Sequence, residues 1–192
     1  MADPKTKWSV ILTFWQGESK MIQVQLNTIK EFMNQLLILD YFDNFPFVSG
    51  EITTFNTFSI DGFIQKDYYY QDGSHKNKEQ PQENNTSLEY STWKDLKEYC
   101  HSIIKGKKPP LSLKFIFKLP EVAIEPFLEK YNLDYPKEEI QGLYLNIRFE
   151  SQNLYITTGT TLKTFSLSKD IENAWDKELT AMLDALEMDY GK

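Results

Sequence analysis

The chain is 192 residues long, 41% hydrophobic and 26% charged, with a formal net charge of −7. That length suits one domain with a full core, and 8 Gly with 8 Pro exclude collagenous, low-complexity and wholly disordered classes. A single Cys excludes an intrachain disulfide framework and a Cys-rich zinc site, and the acidity argues against a surface that coats nucleic acid all round.

No apolar run reaches the roughly 18–20 residues of a membrane span, so no membrane partner is expected. The short run from Trp8 to Trp15 carries no small-residue cleavage site and is not a signal sequence. A reducing, cytoplasmic setting is the expectation. Two readings of residues 1–20 stand open. Either Ser9 to Phe14 is an extra edge strand, or the stretch lies upstream of a true start at Met21. On the second reading the codons of Gly17-Glu18 fall where a ribosome-binding site would.

From Met21 the alternation Ile22, Val24, Leu26 predicts a first strand. Asn27 then caps a helix whose Ile29, Phe32, Met33, Leu36 and Leu37 form one apolar stripe. Glu51 to Ile60 and Phe63 to Tyr70 read as paired strands, with Asp61-Gly62 as a type I′ hairpin turn between them. Residues 71–89 lose nearly all hydrophobicity and read as a mobile polar loop. A second helix over 91–105 begins at Ser91 or Thr92, where Asp95 gives capping-box spacing, and offers Leu96, Tyr99, Cys100, Ile103 and Ile104 to the core. Leu111 to Leu119 alternates as a strand. A third helix starts near Ala123, which would leave Pro126 in its first turn. Gly142 to Glu150 turns Leu143, Leu145, Ile147 and Phe149 inward and Tyr144, Asn146 and Arg148 outward. Ser151-Gln152-Asn153 turns the chain into Leu154 to Thr158. Thr157-Thr158-Gly159-Thr160-Thr161 is then a polar break before Leu162 to Leu167, read as a bulge, with a small recognition loop as the alternative. Ser168 caps a last helix over 169–187 that carries Ile171, Trp175, Leu179, Met182, Leu183 and Leu186.

Set side by side, residues 21–70 and 111–167 show the same order of strand, helix, strand and strand. The spacing from Ile22 to Glu51 equals that from Leu111 to Ile140. The expected fold is therefore α+β, a single domain over 21–192 made of a tandem pseudo-repeat of two β-α-β-β units. Its sheets are mainly antiparallel, and the helices at 91–105 and 169–187 are additions.

The strings Ile29 to Leu37, Thr53 to Gly62, Ile104 to Lys108 and Thr157 to Thr160 resemble an uncharacterised domain-of-unknown-function family of Gram-positive bacteria, from Met21 to about Trp175. That resemblance implies no activity and no catalytic residues. The tandem pattern is also similar in topology to one domain of the DNA sliding clamps, which implies a clamp-like arrangement.

At 100° per residue, Lys94, Lys97, His101, Lys105 and Lys108 fall on one side of the second helix, a basic stripe fit to track phosphates. A plain solvated helix face gives the same pattern. Tyr68 and Tyr70 share one face of their strand; exposed, they would form a second, aromatic binding surface, and buried, the far edge of the core. Lys105 to Lys108 lacks the glycine and hydroxyl spacing of a phosphate loop, and Cys100 and His101 diverge too far to act as nucleophile and base. No catalytic residue, metal ligand or cofactor is implied. The expected function is a non-enzymatic binding module that docks a protein, or nucleic acid weakly and without sequence preference. The alternatives are a hydrolase or transferase with a carboxylate site invisible in sequence, and a small host- or phage-encoded regulator.

Overall fold

The structure is a computed structural model, and it describes residues 22–67, 88–164 and 168–191. Both readings of residues 1–20, most of the polar loop and the pair Tyr68 and Tyr70 lie outside the described residues. In chain order the elements are β1 (Gln23–Leu26), α1 (Ile29–Leu37), β2 (Phe47–Thr53), β3 (Thr57–Asp61), α2 (Trp93–Ile104), β4 (Ser112–Lys118), α3 (Glu121–Lys130), a 3-10 turn (Lys137–Glu139), β5 (Ile140–Glu150), β6 (Asn153–Leu162), α4 (Asp170–Ala185) and β7 (Tyr190–Gly191).

The fold is α+β. Its strands form one antiparallel seven-stranded sheet in the order β3-β2-β4-β5-β6-β1-β7. The strand order does not reproduce two equal units. β4, β5 and β6 are neighbours, whereas β1 lies beyond β6 with three strands between it and β2. Val24 and Leu26 of β1 are fully shielded there, opposite Ile156 and Leu154 of β6, so β1 completes the apolar face of the other half. The equivalence of halves on which a clamp-like arrangement depends is absent from this order.

Residues that pair across an antiparallel ladder point to the same face. One row runs Ile52, Leu113, Phe149, Leu154 and Leu26, and the next runs Phe115, Ile147, Ile156 and Val24; all are buried. The helices cover this face. Trp93 of α2 stacks on Phe47 with centroids 5.2 Å apart, and meets Phe117 edge-on. Its indole N–H donates to the Leu36 carbonyl of α1 at 2.6 Å, which locks the two helices together. On α4, Trp175 packs edge-on against Phe127 of α3 and donates to the Tyr144 carbonyl at 2.9 Å. Asp176 of α4 accepts from the hydroxyl of buried Thr158 in β6.

Several local expectations are corrected. Asp61-Gly62 is not a hairpin turn. The β2–β3 turn is Thr54-Phe55-Asn56, and Asp61 ends β3 opposite Ser49. The Gly62 N–H donates to the Val48 carbonyl, and the Asp61 carboxylate accepts from the Phe63 N–H. Phe63 then makes a single bridge to Tyr90 rather than opening a strand. The far end of the polar loop is also tied down: the Glu89 carbonyl accepts from Ile64, and Ser91 bonds Gly62 and Phe47. β6 runs unbroken through Gly159, so the threonine stretch is strand; the register irregularity lies on the facing strand, between Ile140 and Gly142 of β5, opposite Leu162 and Thr161. The helix α3 starts at Glu121 and carries Pro126 inside it. The amide that Pro126 lacks would have served the carbonyl of Val122, a residue exposed to solvent.

The cap of α1 also differs. Thr28, not Asn27, is the N-cap, and both residues reach the C-terminal segment instead of the helix. Asn27 donates to the Asp189 carboxylate at 3.1 Å, and the Thr28 hydroxyl accepts from the Asp189 N–H. For α2 the capping box forms as its sequence implies, with the Thr92 N–H bonding the Asp95 carboxylate at 3.1 Å. Tyr99, however, is 69% exposed and does not join the core.

Candidate interaction surfaces

The predicted basic stripe is only partly assembled. Lys94 is exposed on the first turn of α2. Lys97 is not available as a phosphate contact, because its ammonium pairs with the Asp43 carboxylate and donates to the Leu39 carbonyl at 2.9 Å. This side chain pins the turn after α1 to α2, a role that nothing in the spacing of the lysines announces. The helix ends at Ile104, so Lys105 is its C-cap in extended geometry and Lys108 lies in the following bend. Both are exposed but no longer follow the helical phase.

His101 is half-buried and lines a groove between α1 and α2 of about 370 Å³. Met33, Leu37 and Ile38 make its apolar floor, and Lys30, Glu31, Asn34 and His101 its polar rim. Ile38 is 53% exposed, and Leu39 beside it is also open to solvent. The groove exists because α1 ends at Leu37 and the chain turns away before α2 crosses back through Trp93. The α1 stripe was legible from spacing, but Lys30, Glu31, Asn34 and Ile38 become a site only when α2 lies alongside. An apolar residue, Ile38, just past the end of the stripe was the one signal available.

The opposite face of the sheet carries no helix among the described residues. Pairing places Lys114 of β4 beside Arg148 of β5, and Arg148 beside Tyr155 of β6. The Arg148 guanidinium lies 5.5 Å from the centroid of the Tyr155 ring. Outward alternation of Tyr144, Asn146 and Arg148 is as the sequence implies; the adjacency of Lys114 and Arg148 depends on a register that it does not reveal.

Titratable groups elsewhere are structural. Burial pushes the Cys100 thiol up to about 12, so it stays a protonated core side chain and not a nucleophile. Burial, then a hydrogen bond to Glu178, pushes the Tyr131 phenol up to about 12. The Glu178 carboxylate accepts from Tyr131 at 2.8 Å and from Lys130 at 2.6 Å, which ties α3 to α4. Among the described residues no group of three or more His, Cys, Asp or Glu is placed to hold a metal ion, and no helix is long and apolar enough to cross a membrane.

No curated protein and no solved structure matches the chain. A family model covers residues 35–191, beginning inside α1 and reaching past the Trp175 limit of the sequence resemblance to include all of α4 and β7. The chain belongs to that family, a family of unknown function (DUF5721).

Proposed function

We propose that the protein is a non-enzymatic interaction module that docks a protein partner across the α1–α2 groove. The observation that carries this reading is the groove itself: half-buried Met33 and exposed Ile38 beside buried Leu37, an apolar floor between two helices. A concave apolar floor with a few polar groups on its rim suits the side chains of a partner segment. Lys30 and His101 stand on the rim, Lys94 lies two turns before His101 on the same side of α2, and Glu31 is the one carboxylate among the lining residues. That balance favours an amphipathic partner segment bearing carboxylates beside its apolar side chains. Shallow grooves of this kind exchange a modest apolar area, so association would be reversible.

The test is affinity capture from the native host with the wild-type chain and with Ile38→Asp. Ile38 is exposed, so the substitution leaves the fold intact while placing a charge on the groove floor. A partner held by the wild type and lost with Ile38→Asp supports the reading. Identical capture by both chains rejects it. Lys94→Glu serves as the second variant and is expected to weaken capture without abolishing it. Lys97→Glu is unsuitable, since losing the pair with Asp43 would disturb the α1–α2 turn itself.

A further inference from the structure

We propose that the free edge of β3 pairs with β3 of a second copy, joining two sheets about a two-fold axis through Ser59. The inference goes beyond the groove reading, because it concerns the edge of the sheet and self-association. It starts from the phase of the backbone. The Gly62 N–H donates to the Val48 carbonyl and the Ile64 N–H to the Glu89 carbonyl, so even-numbered residues here turn their backbone groups toward β2 and the segment 89–91. By alternation the N–H and C=O of Thr57, Ser59 and Asp61 point away from β2, where no further strand lies among the described residues. Edge strands are normally blunted by shortness, a lysine, a proline or a bulge. At the other edge, β7 has two residues. β3 has none of these devices: its five residues hold an unbroken register with β2, and its one charge, Asp61, stands at the end.

The edge fits its own copy. Of the centres an antiparallel pair could take, only Ser59 sets all three outward residues against outward residues: Ser59 meets the partner's Ser59, and Thr57 meets the partner's Asp61. These three are exposed, and the Thr57 hydroxyl can donate to the carboxylate opposite it. On the helix-covered face Phe58 meets the partner's Ile60. Both are half-buried, and Phe58 stands at the outer end of the row that Ile52 and Leu113 continue. No like charges are opposed, whereas a centre at Asp61 would oppose two carboxylates. The flanks point to the same axis. Phe55 is 85% exposed and Phe63 46%, the first four residues before Ser59 and the second four after it. The axis therefore carries Phe55 to the end of the strand where the partner's Phe63 stands. The Phe63 N–H, which also points outward, is taken by the Asp61 carboxylate, so the pairing stops there. A strand of another protein would have no reason to share this centre of symmetry, and a second copy is the occupant.

The experiment is sedimentation equilibrium of the full chain at up to about 500 μM, since a contact of one strand and its flanks lies at the reversible end of interfaces. The expected result is a concentration-dependent dimer. Ser59→Pro removes an amide that faces away from β2, which an edge strand tolerates, and should raise the dimer dissociation constant at least about tenfold with circular dichroism unchanged. Phe55→Asp, at an exposed position, should raise it about fivefold or more. Mild oxidation of Ser59→Cys should yield a disulfide-linked dimer, because residues facing each other in a hydrogen-bonded pair have Cα atoms about 5.5 Å apart. Thr57→Cys should not, since its two copies would lie about 14 Å apart along the strands. The native Cys100 is buried and stays out of the reaction. Ile38→Asp in the groove should leave the dimer unaltered, so failure here and failure of the groove reading are separate results. The proposal is overturned if the chain stays monomeric, which would leave the edge to a strand of another protein. It is equally overturned if the dimer survives Ser59→Pro, or if Thr57→Cys cross-links as readily as Ser59→Cys.

Discussion

Gly62 stands where the end of β3 passes close to β2, and a Cβ added there would lie 1.7 Å from the Phe47 carbonyl oxygen. Its φ is not positive, so the glycine answers to space and not to a left-handed conformation. The obstacle is backbone, held by the Phe47 N–H bond to Ser91 and by the burial of the Phe47 ring. Gly142 makes an instructive partner. A Cβ there would meet the far end of the Tyr144 ring at 2.5 Å, and a ring can swing aside. Gly62→Ala is therefore expected to cost about 2–3 kcal/mol and Gly142→Ala less than about 1 kcal/mol, measured by urea denaturation. Equal losses at the two positions would contradict the distinction between rigid and yielding obstacles. The same scale explains the fate of the lysines. Lys97 and Lys94 share a helix side, but only Lys97 finds a carboxylate, 54 positions away in sequence. No helical wheel contains that partner.

At the scale of elements, turns were the hardest feature to place. Asp-Gly is the usual dipeptide of a tight hairpin because both positions need positive φ. Here that geometry belongs to Ser151 and Gln152, with φ of 50° and 63°, closing β5 on β6 between Glu150 and Asn153. The turn is carried by the long hairpin above it, whose core residues alternate as the sequence implies. An L-residue in the left-handed region costs about 1–2 kcal/mol, offset in part by the flexibility glycine adds to the unfolded chain. Gln152→Gly should accordingly raise stability by about 0.5–1 kcal/mol, seen as a higher urea midpoint with an unchanged slope. A lower midpoint would show that the Gln152 side chain contributes contacts of its own. Helices were easier to read. The stripes of α1 and α4 emerge directly from 3.6-residue spacing, and β4 and β5 from alternation, because each needs only local sequence. The position of β1 beyond β6 was not legible, nor was the register that sets Lys114 opposite Arg148. Both depend on which strands meet, and several strands here present equivalent apolar faces to one another. Trp93 was likewise hidden: it lies at the first position of α2, where a pattern has only just begun.

For the whole molecule, the consequence of covering one sheet face with all the named helices is that acids with weakly acidic protons are drawn under or between them. Cys100 is fully buried beneath α2, and Tyr131 is clamped between α3 and Glu178. Outside the helical layer, Tyr90, next to Glu89 and bridged to Phe63 just before α2, is raised to about 12 by burial first and by the Glu89 charge second. Cys100 and Tyr131 are raised to the same level. Each of these groups is neutral when protonated and holds its proton more tightly folded than unfolded. Between the ordinary values, 9.0 for the thiol and 10.0 for the phenols, and about 12, the native state thus binds more protons than the unfolded chain. Stability then falls as pH rises through that window and is fully present below it. Lysine ion pairs such as Lys130 with Glu178 weaken over the same range, so the wild-type curve alone does not isolate the buried acids. Tyr131→Phe does so: it removes the phenol proton while leaving the ring against Phe127. Urea midpoints from about pH 8 to about pH 11.5 should decline for the wild type and decline less steeply for Tyr131→Phe, from a lower starting point because the bond to Glu178 is lost. Parallel curves for the two chains would mean that Tyr131 ionises in the folded state as readily as in the unfolded one, and that the α3–α4 contact is looser than the geometry around Glu178 requires.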